Sequence, residues 1–189
     1  MKLNLGCGQN KIDGFVNIDK FPECDPDKVM DLEEFPWSFQ TSSVKEVLLN
    51  HVLEHLGRDT EVFLSIIKEI YRICEHGALV KINVPHPRHD FFMNDPTHVR
   101  IITPQIMQLF SKKNCIQWKQ NGISNSPLAL YTNVDFEIIE SVAILDDQYK
   151  KLFKDKLLSS EEINQYMKDK NNVVSEYRMT LKAIKQEEL

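Results

Sequence analysis

Residues 3–19 read Leu-Asn-Leu-Gly-Cys-Gly-Gln-Asn-Lys-Ile-Asp-Gly-Phe-Val-Asn-Ile-Asp. A short apolar run, Leu3-Asn4-Leu5, enters a turn at Gly6 and Gly8. A second, Phe15 to Ile18, ends on Asp19, eleven residues after Gly8. A glycine turn after one strand and an acid closing the next is how a parallel sheet builds a nucleoside site at its C-terminal edge. The glycines admit close approach of backbone to ligand, and the carboxylate can hold two ribose hydroxyls.

The interval between those strands narrows the ligand. Parallel crossovers normally take a dozen residues or more and contain a helix. Gly6–Gly14 leaves room for the turn and at most one helical turn. A dinucleotide site sets its pyrophosphate on the N-terminus of the first helix and places the acid about 20 residues on. Here the third glycine is replaced by Lys11, and the acid comes early. A cofactor made of ribose, adenine and a zwitterionic amino acid loses little by this, and S-adenosylmethionine is such a molecule.

Outward from this stretch, Val29-Met30-Asp31 reads as the end of a third strand and Val44–Asn50 as a fourth. Val62, Phe63, Ile66, Ile67, Ile70, Tyr71 and Cys74 recur at helical spacing and predict a helix over 60–75, stopped by Gly77. Ala78–Val84 is a fifth strand, ended by Pro85. Strands separated by helices imply a parallel sheet with helices on both faces. Thr103-Pro104 reads as the cap and first residue of a helix to about Lys112. Residues 134–145 read as a long strand and 147–170 as charged helix. The alternating tail Val173–Ile184 reads as a last strand, and it and the 134–145 strand could pair antiparallel at the sheet edge.

The bulk numbers agree with an enzyme-sized unit. The 189 residues are enough for one core, and a single domain over 1–189 is expected. A net charge of −5 argues against nonspecific binding to nucleic acid or an anionic membrane. No stretch approaches the roughly 20 apolar residues of a membrane span, and no signal peptide is expected. Cys7, Cys24, Cys74 and Cys115 share no metal-type spacing and read as free thiols of a cytoplasmic protein.

Four segments together resemble the successive motifs of class I S-adenosylmethionine-dependent methyltransferases: Leu3–Gly8, Gly14–Asp19, Asp31-Leu32 and Asn50–Leu56. Within that family the chain is similar to a bacterial subgroup with a shortened first crossover, and the likeness spans about residues 2–110. It implies an α/β, Rossmann-like, doubly wound sheet of seven mostly parallel strands with an antiparallel last strand. It also implies that Gly6, Cys7 and Gly8 face the methionine part of the cofactor and that Asp19 holds the ribose. Asp31 and Leu32 would then border the adenine, with Asn50 and His51 closing the site beneath.

The loop from Pro85 to Arg100 is the second informative stretch. It comes directly after the fifth strand and should overhang the same edge, with residues 85–133 covering the active site. Methyl transfer is an in-line displacement, helped by alignment and by a base for the acceptor. His98 is expected as base or substrate ligand with Asp95 its partner, since histidine titrates near neutrality. Arg88 and Arg100 could hold an anionic substrate group, and His55, His86 and His89 are further substrate-side candidates. The spacing of these groups matches no metal site that can be specified, and no metal is expected. His51-Val-Leu-Glu-His55 also spells a metallopeptidase pattern, whose two histidines would share one face of a helix.

The expected activity is methyl transfer from S-adenosylmethionine to an oxygen or nitrogen of a small molecule, such as a sugar or nucleotide-sugar, by a monomer or homodimer. The alternative is a non-catalytic S-adenosylmethionine-binding protein with a regulatory or assembly role.

Overall fold

The computed structural model describes residues 1–185. Its seven strands are β1 Lys2–Leu5, β2 Val16–Asp19, β3 Lys28–Val29, β4 Val44–Asn50, β5 Cys74–Pro85, β6 Phe136–Leu145 and β7 Val174–Ala183. They make one sheet in the order β3-β2-β1-β4-β5-β7-β6. The first five run parallel, and β7 is antiparallel to both β5 and β6. The chain reverses between β1 and β4, so Gly6 and His51, just past the ends of those two strands, meet at the point where such sheets bind ligands.

Helix α1 (Thr60–Ile73) lies between β4 and β5. Asp59 caps it, accepting from Glu61 N–H at 2.8 Å. Its buried face is Phe63, Ile66, Ile67, Ile70 and Ile73, each worth about 1.5–3 kcal/mol of apolar burial. That stripe covers Leu3, Leu5, Ile18, Val47, Leu49, Val80 and Ile82, which register pairing puts on one face of the sheet.

The helical cover is uneven. Segments 6–15, 20–27 and 30–43 contain no α-helix, only a single 3-10 turn at Pro22–Cys24. The second face of the sheet accordingly presents polar side chains, among them Glu46, Asn50, Lys81, Asn83 and Arg178. Lys2 and Lys81 flank Glu46 at 2.7 and 2.6 Å and hold its carboxyl below the usual range. In the first crossover, buried asparagines replace the missing helix. Asn4 Nδ2 donates to Asn10 O at 2.9 Å and to Asn17 Oδ1 at 3.0 Å, and Asn17 Oδ1 also accepts from Ile12 N–H at 2.8 Å. Those bonds fasten the loop that carries the glycine turn.

Past β5 the helices are shorter than the sequence suggests. The expected 104–112 helix breaks into α3 (Pro104–Gln108) and α4 (Lys112–Gln120), after a one-turn α2 (Asp90–Met93). Ser111 caps α4 while Phe110 turns fully into the core. α5 (Leu128–Thr132) follows, and Lys112, Thr132 and Asn133 line a groove at the opposite sheet edge. Likewise 147–170 divides into α6 (Asp147–Lys154) and α7 (Ser160–Asp169), the latter opened by a Ser159–Glu162 capping box. Among the described residues no helix is long and apolar enough to cross a membrane.

Candidate functional site

A cavity of about 260 Å³ opens at the C-terminal edge, with Gly6, Gly8, Asp19, Asp31, Leu32, His51 and His55 in its wall. Gly6 has φ +66°, and a Cβ there would stand 2.6 Å from Val52 Cγ2, so no side chain fits. Gly8 also has positive φ, +49°, but faces open space. Its backbone is therefore bare toward a ligand. Asp19, 8% exposed, binds the turn across the eleven-residue interval. Its Oδ2 accepts from Gly8 N–H at 2.8 Å and its Oδ1 from Phe21 N–H at 3.0 Å. Both oxygens keep a further lone pair, so a preoriented carboxylate borders the cavity.

Asp31 sits opposite, its Oδ1 accepting from Glu33 N–H at 2.9 Å. Phe21, Cys24 and Met30 also line the wall. Phe21 is 56% exposed, an aromatic absent from the sequence motifs although it lies only two residues beyond the acid. Cys7 and Asn50 lie on the other side of the turn, where a second cavity of about 520 Å³ also touches Gly6, Gly8 and His51. Burial first, then Asp19, pushes the Cys7 thiol up, which disfavours a nucleophilic thiolate. Asn50 Oδ1 accepts from Asn83 Nδ2 at 2.8 Å.

His51 leaves β4 in a left-handed conformation, φ +55°. Its Nε2 lies 3.1 Å from Glu176 and its Nδ1 3.5 Å from Glu54. Glu54 first, with Glu176 adding to it, raises the His51 pKa despite burial. Beyond it the chain makes only a 3-10 turn, Leu53–His55. His51 and His55 therefore do not share a helix face, and the metallopeptidase arrangement does not form.

A different grouping does form. Val99 N–H and Arg100 N–H both donate to Glu54 O, at 2.9 and 3.1 Å, and clamp the 85–100 loop onto this turn. The rings of His55 and His98 come to 4.5 Å between centroids. His98 Nδ1 lies 2.8 Å from Phe92 O. Asp95 is 3.8 Å from His98 Nε2, too long for a hydrogen bond, and its Oδ1 instead accepts from Thr97 N–H and Oγ1–H at 2.8 and 2.5 Å. Glu54, to which the sequence motifs assign no role, is 1% exposed.

The other loop candidates are used by the fold. Arg88 donates to Lys168 O at 2.8 Å and to Met167 O, pinning α7. Arg100 donates to Gly57 O and lies over the Phe63 ring, 4.3 Å from its centroid. His86 and His89 are buried, and their Nδ1 atoms accept from Arg88 and Phe91 N–H, both at 3.1 Å. None of these four lines the 260 Å³ cavity. Each of the four makes hydrogen bonds that hold the loop in shape. A larger groove of about 940 Å³, walled by Ser42, Arg72, His76 and Lys185, lies at the opposite edge and holds no residue of the sequence motifs.

No protein-family model and no curated protein matches the sequence. Solved structures do match in shape. A SAM-dependent methyltransferase from Archaeoglobus fulgidus superposes with TM-score 0.58 at 16% identity, over 96% of this chain and 85% of that one. One from Methanosarcina mazei gives 0.57 at 14%, over 98% and 92%. The cyclase SpnF gives 0.55 at 12%, over 98% and 75%. The fold of this chain is that of the class I S-adenosylmethionine-dependent methyltransferases, strand order and antiparallel β7 included.

Proposed function

We propose that this chain is an S-adenosylmethionine-dependent methyltransferase acting on an oxygen or nitrogen of a small molecule, with a sugar or nucleotide-sugar as the first class to test. One observation carries the reading. The Gly6–Gly8 turn is bonded to the Asp19 carboxylate at the C-terminal edge, and no helix N-terminus stands behind it to take a phosphate. S-adenosylmethionine, when bound, supplies an electrophilic methyl group on a sulfonium. Asp19 would accept from the ribose hydroxyls, Phe21 and Leu32 would flank the adenine, and the bare backbone at Gly8 would meet the amino-acid part. His98 Nδ1–H donates to the Phe92 carbonyl, which leaves Nε2 to take the proton that an acceptor hydroxyl or amine loses. Asp95, 3.8 Å from that nitrogen, stabilises the resulting imidazolium.

Calorimetry with S-adenosylmethionine, S-adenosylhomocysteine and NAD tests this on the wild type and Asp19→Ala. The adenosyl ligands should bind, NAD should not, and the variant should lose at least about tenfold in affinity, the worth of one charge-assisted hydrogen bond. Binding of NAD alone refutes it. The resemblance to the cyclase SpnF shows that this fold serves other chemistry as well. Cofactor binding with no methyl transfer to any sugar, nucleotide-sugar or amine panel would favour the non-catalytic alternative.

A further inference from the structure

Glu54 is a buried carboxylate whose nearest charged neighbour is His51. Its carboxylate lies in the interior, and neither oxygen has a hydrogen-bond partner among the described residues. A buried unpaired carboxylate costs several kcal/mol unless something positive meets it. His51 approaches one oxygen, Oε1, at 3.5 Å, and Oε2 has nothing. Two other potential ligands stand beside it. One ligand atom from each of Glu54, His55 and His98 lies within 4.8 Å of the other two.

Both histidines are turned to offer the same nitrogen. The Phe92 carbonyl can only accept, so His98 Nδ1, at 2.8 Å, carries the proton and Nε2 is a bare lone pair. Thr97 Oγ1–H is directed to Asp95 Oδ1 at 2.5 Å, so that hydroxyl accepts from His55 Nδ1–H at 2.9 Å. His55 Nε2 is then bare as well. A histidine whose far nitrogen donates to a carbonyl or a carboxylate-backed hydroxyl is the usual state of a metal ligand.

We propose that Glu54, His55 and His98 bind a divalent transition-metal ion at the wall of the cofactor cavity. Two imidazoles and one carboxylate suit zinc, iron or manganese rather than calcium or magnesium. Ligand atoms around such an ion stand roughly 3.4 Å apart for bonds near 2.1 Å, so binding draws the three inward from their present spacing. Three protein ligands leave positions open. His55 also lines the cavity that holds Gly6 and Asp19, so the ion would sit beside the cofactor cavity. An acceptor with hydroxyl or carboxylate oxygens would be oriented by the ion, and His98 Nε2 would then be a ligand rather than a base. Metal binding does not depend on the methyl-transfer reading.

The full chain, stripped with chelator and dialysed, is titrated with Zn²⁺ and separately with Mn²⁺ by calorimetry. S-adenosylhomocysteine binding and thermal unfolding are recorded on the same samples. One ion per chain should bind with micromolar or tighter Kd and raise the melting temperature. Glu54→Gln and His98→Ala should each weaken binding by about 100-fold or more. Thr97→Val, which removes the hydroxyl behind His55 together with its bond to Asp95, should cost about 10–100-fold. Asp19→Ala should keep the metal while losing the adenosyl ligand, which separates this site from the cofactor reading. Cobalt substitution should give a visible d–d spectrum without the thiolate charge-transfer band that Cys24 ligation would produce. No saturable binding overturns the proposal. So does binding of unchanged strength in both His98→Ala and Thr97→Val, the two variants that keep the buried carboxylate and test the site even if Glu54→Gln fails to fold.

Discussion

Replacing Asp19 by alanine tests how the glycine turn is held. The carboxylate is almost wholly buried and accepts two backbone N–H groups, Gly8 at 2.8 Å and Phe21 at 3.0 Å. Hydrogen bonds to a charged acceptor contribute about 1.5–3 kcal/mol each. The cavity is open on one side, so water can partly replace the carboxylate, and the low end applies. Two bonds at that value give about 3 kcal/mol. A chain of this size loses about 2–4 °C in melting temperature per kcal/mol, so Tm should fall by about 6–12 °C. An asparagine side chain in place of the carboxylate would keep one acceptor oxygen but point an amide N–H at the other backbone donor. Asp19→Asn should therefore lose about half as much stability while still losing the ribose contact. Urea unfolding followed by circular dichroism, with the slope m unchanged, reads both variants. If Asp19→Ala stays within about 1 kcal/mol of wild type, the carboxylate does not hold the turn and the reasoning about this crossover fails.

Other perturbations draw on the same geometry. Gly6→Ala places a Cβ 2.6 Å from Val52 Cγ2 at a φ of +66°, a strain of about 1–2 kcal/mol before the clash is counted. A Val52→Ala partner mutation should return the clash part but not the backbone part in a double-mutant cycle, and a fully additive cycle would contradict this. His86 is pushed down to about 4, by burial first and then by Arg88 and His89. The unfolded imidazole takes up its proton near pH 6.5, while the folded one resists until about 4. Stability conferred by neutral His86 is therefore intact above 6.5 and lost as pH falls from 6.5 to 4, by up to about 3 kcal/mol. His86→Gln should flatten stability against pH over that window, and an unchanged profile would show that His86 does not titrate as described. Arg88→Ala removes the donor to Lys168 O and Met167 O. Amide exchange should accelerate in α7 with little change in α1, whereas uniform acceleration would contradict a local pin.

Much of the sheet is legible in the sequence because its signals are local. Leu3–Leu5, Phe15–Asp19 and Val44–Asn50 are apolar runs with a turn or an acid at their ends, and α1 carries an uninterrupted helical stripe. The departures have physical causes. Residues 104–112 keep helical spacing throughout, yet Ser111 opens a new helix, because burying Phe110 outweighs continuity of the backbone ladder. In 147–170 the helical, charged composition runs on, but the Ser159–Glu162 capping box starts a second helix there. The sparse helical cover is implied by the short crossovers at 6–15 and 20–27, though 30–43 is long enough for a helix and forms none, and its consequence appears only in register. The polar side chains of β4, β5 and β7 fall together on one face.

The site divides in the same way. Gly6, Gly8, Asp19 and Asp31 are readable because the turn and the strand ends place them. The loop residues are readable as a chemical inventory but not as roles. Arg88, Arg100, His86 and His89 have the composition of a binding loop, and the bonds they make in this structure hold that loop in shape. The meeting of Glu54 and His55 with His98 is a long-range event. Its only sequence trace is that His-Val-Leu-Glu-His and Asp-Pro-Thr-His both come after strands that end at the same edge.

The most direct test of the central claim is a crystal structure of the chain with S-adenosylhomocysteine. The account predicts the ribose hydroxyls on the Asp19 carboxylate, the amino-acid part against the Gly6–Gly8 backbone and the adenine between Phe21 and Leu32. A ligand seated in the groove of Ser42, Arg72 and Lys185, or one in the 260 Å³ cavity that makes no contact with Asp19, would contradict it.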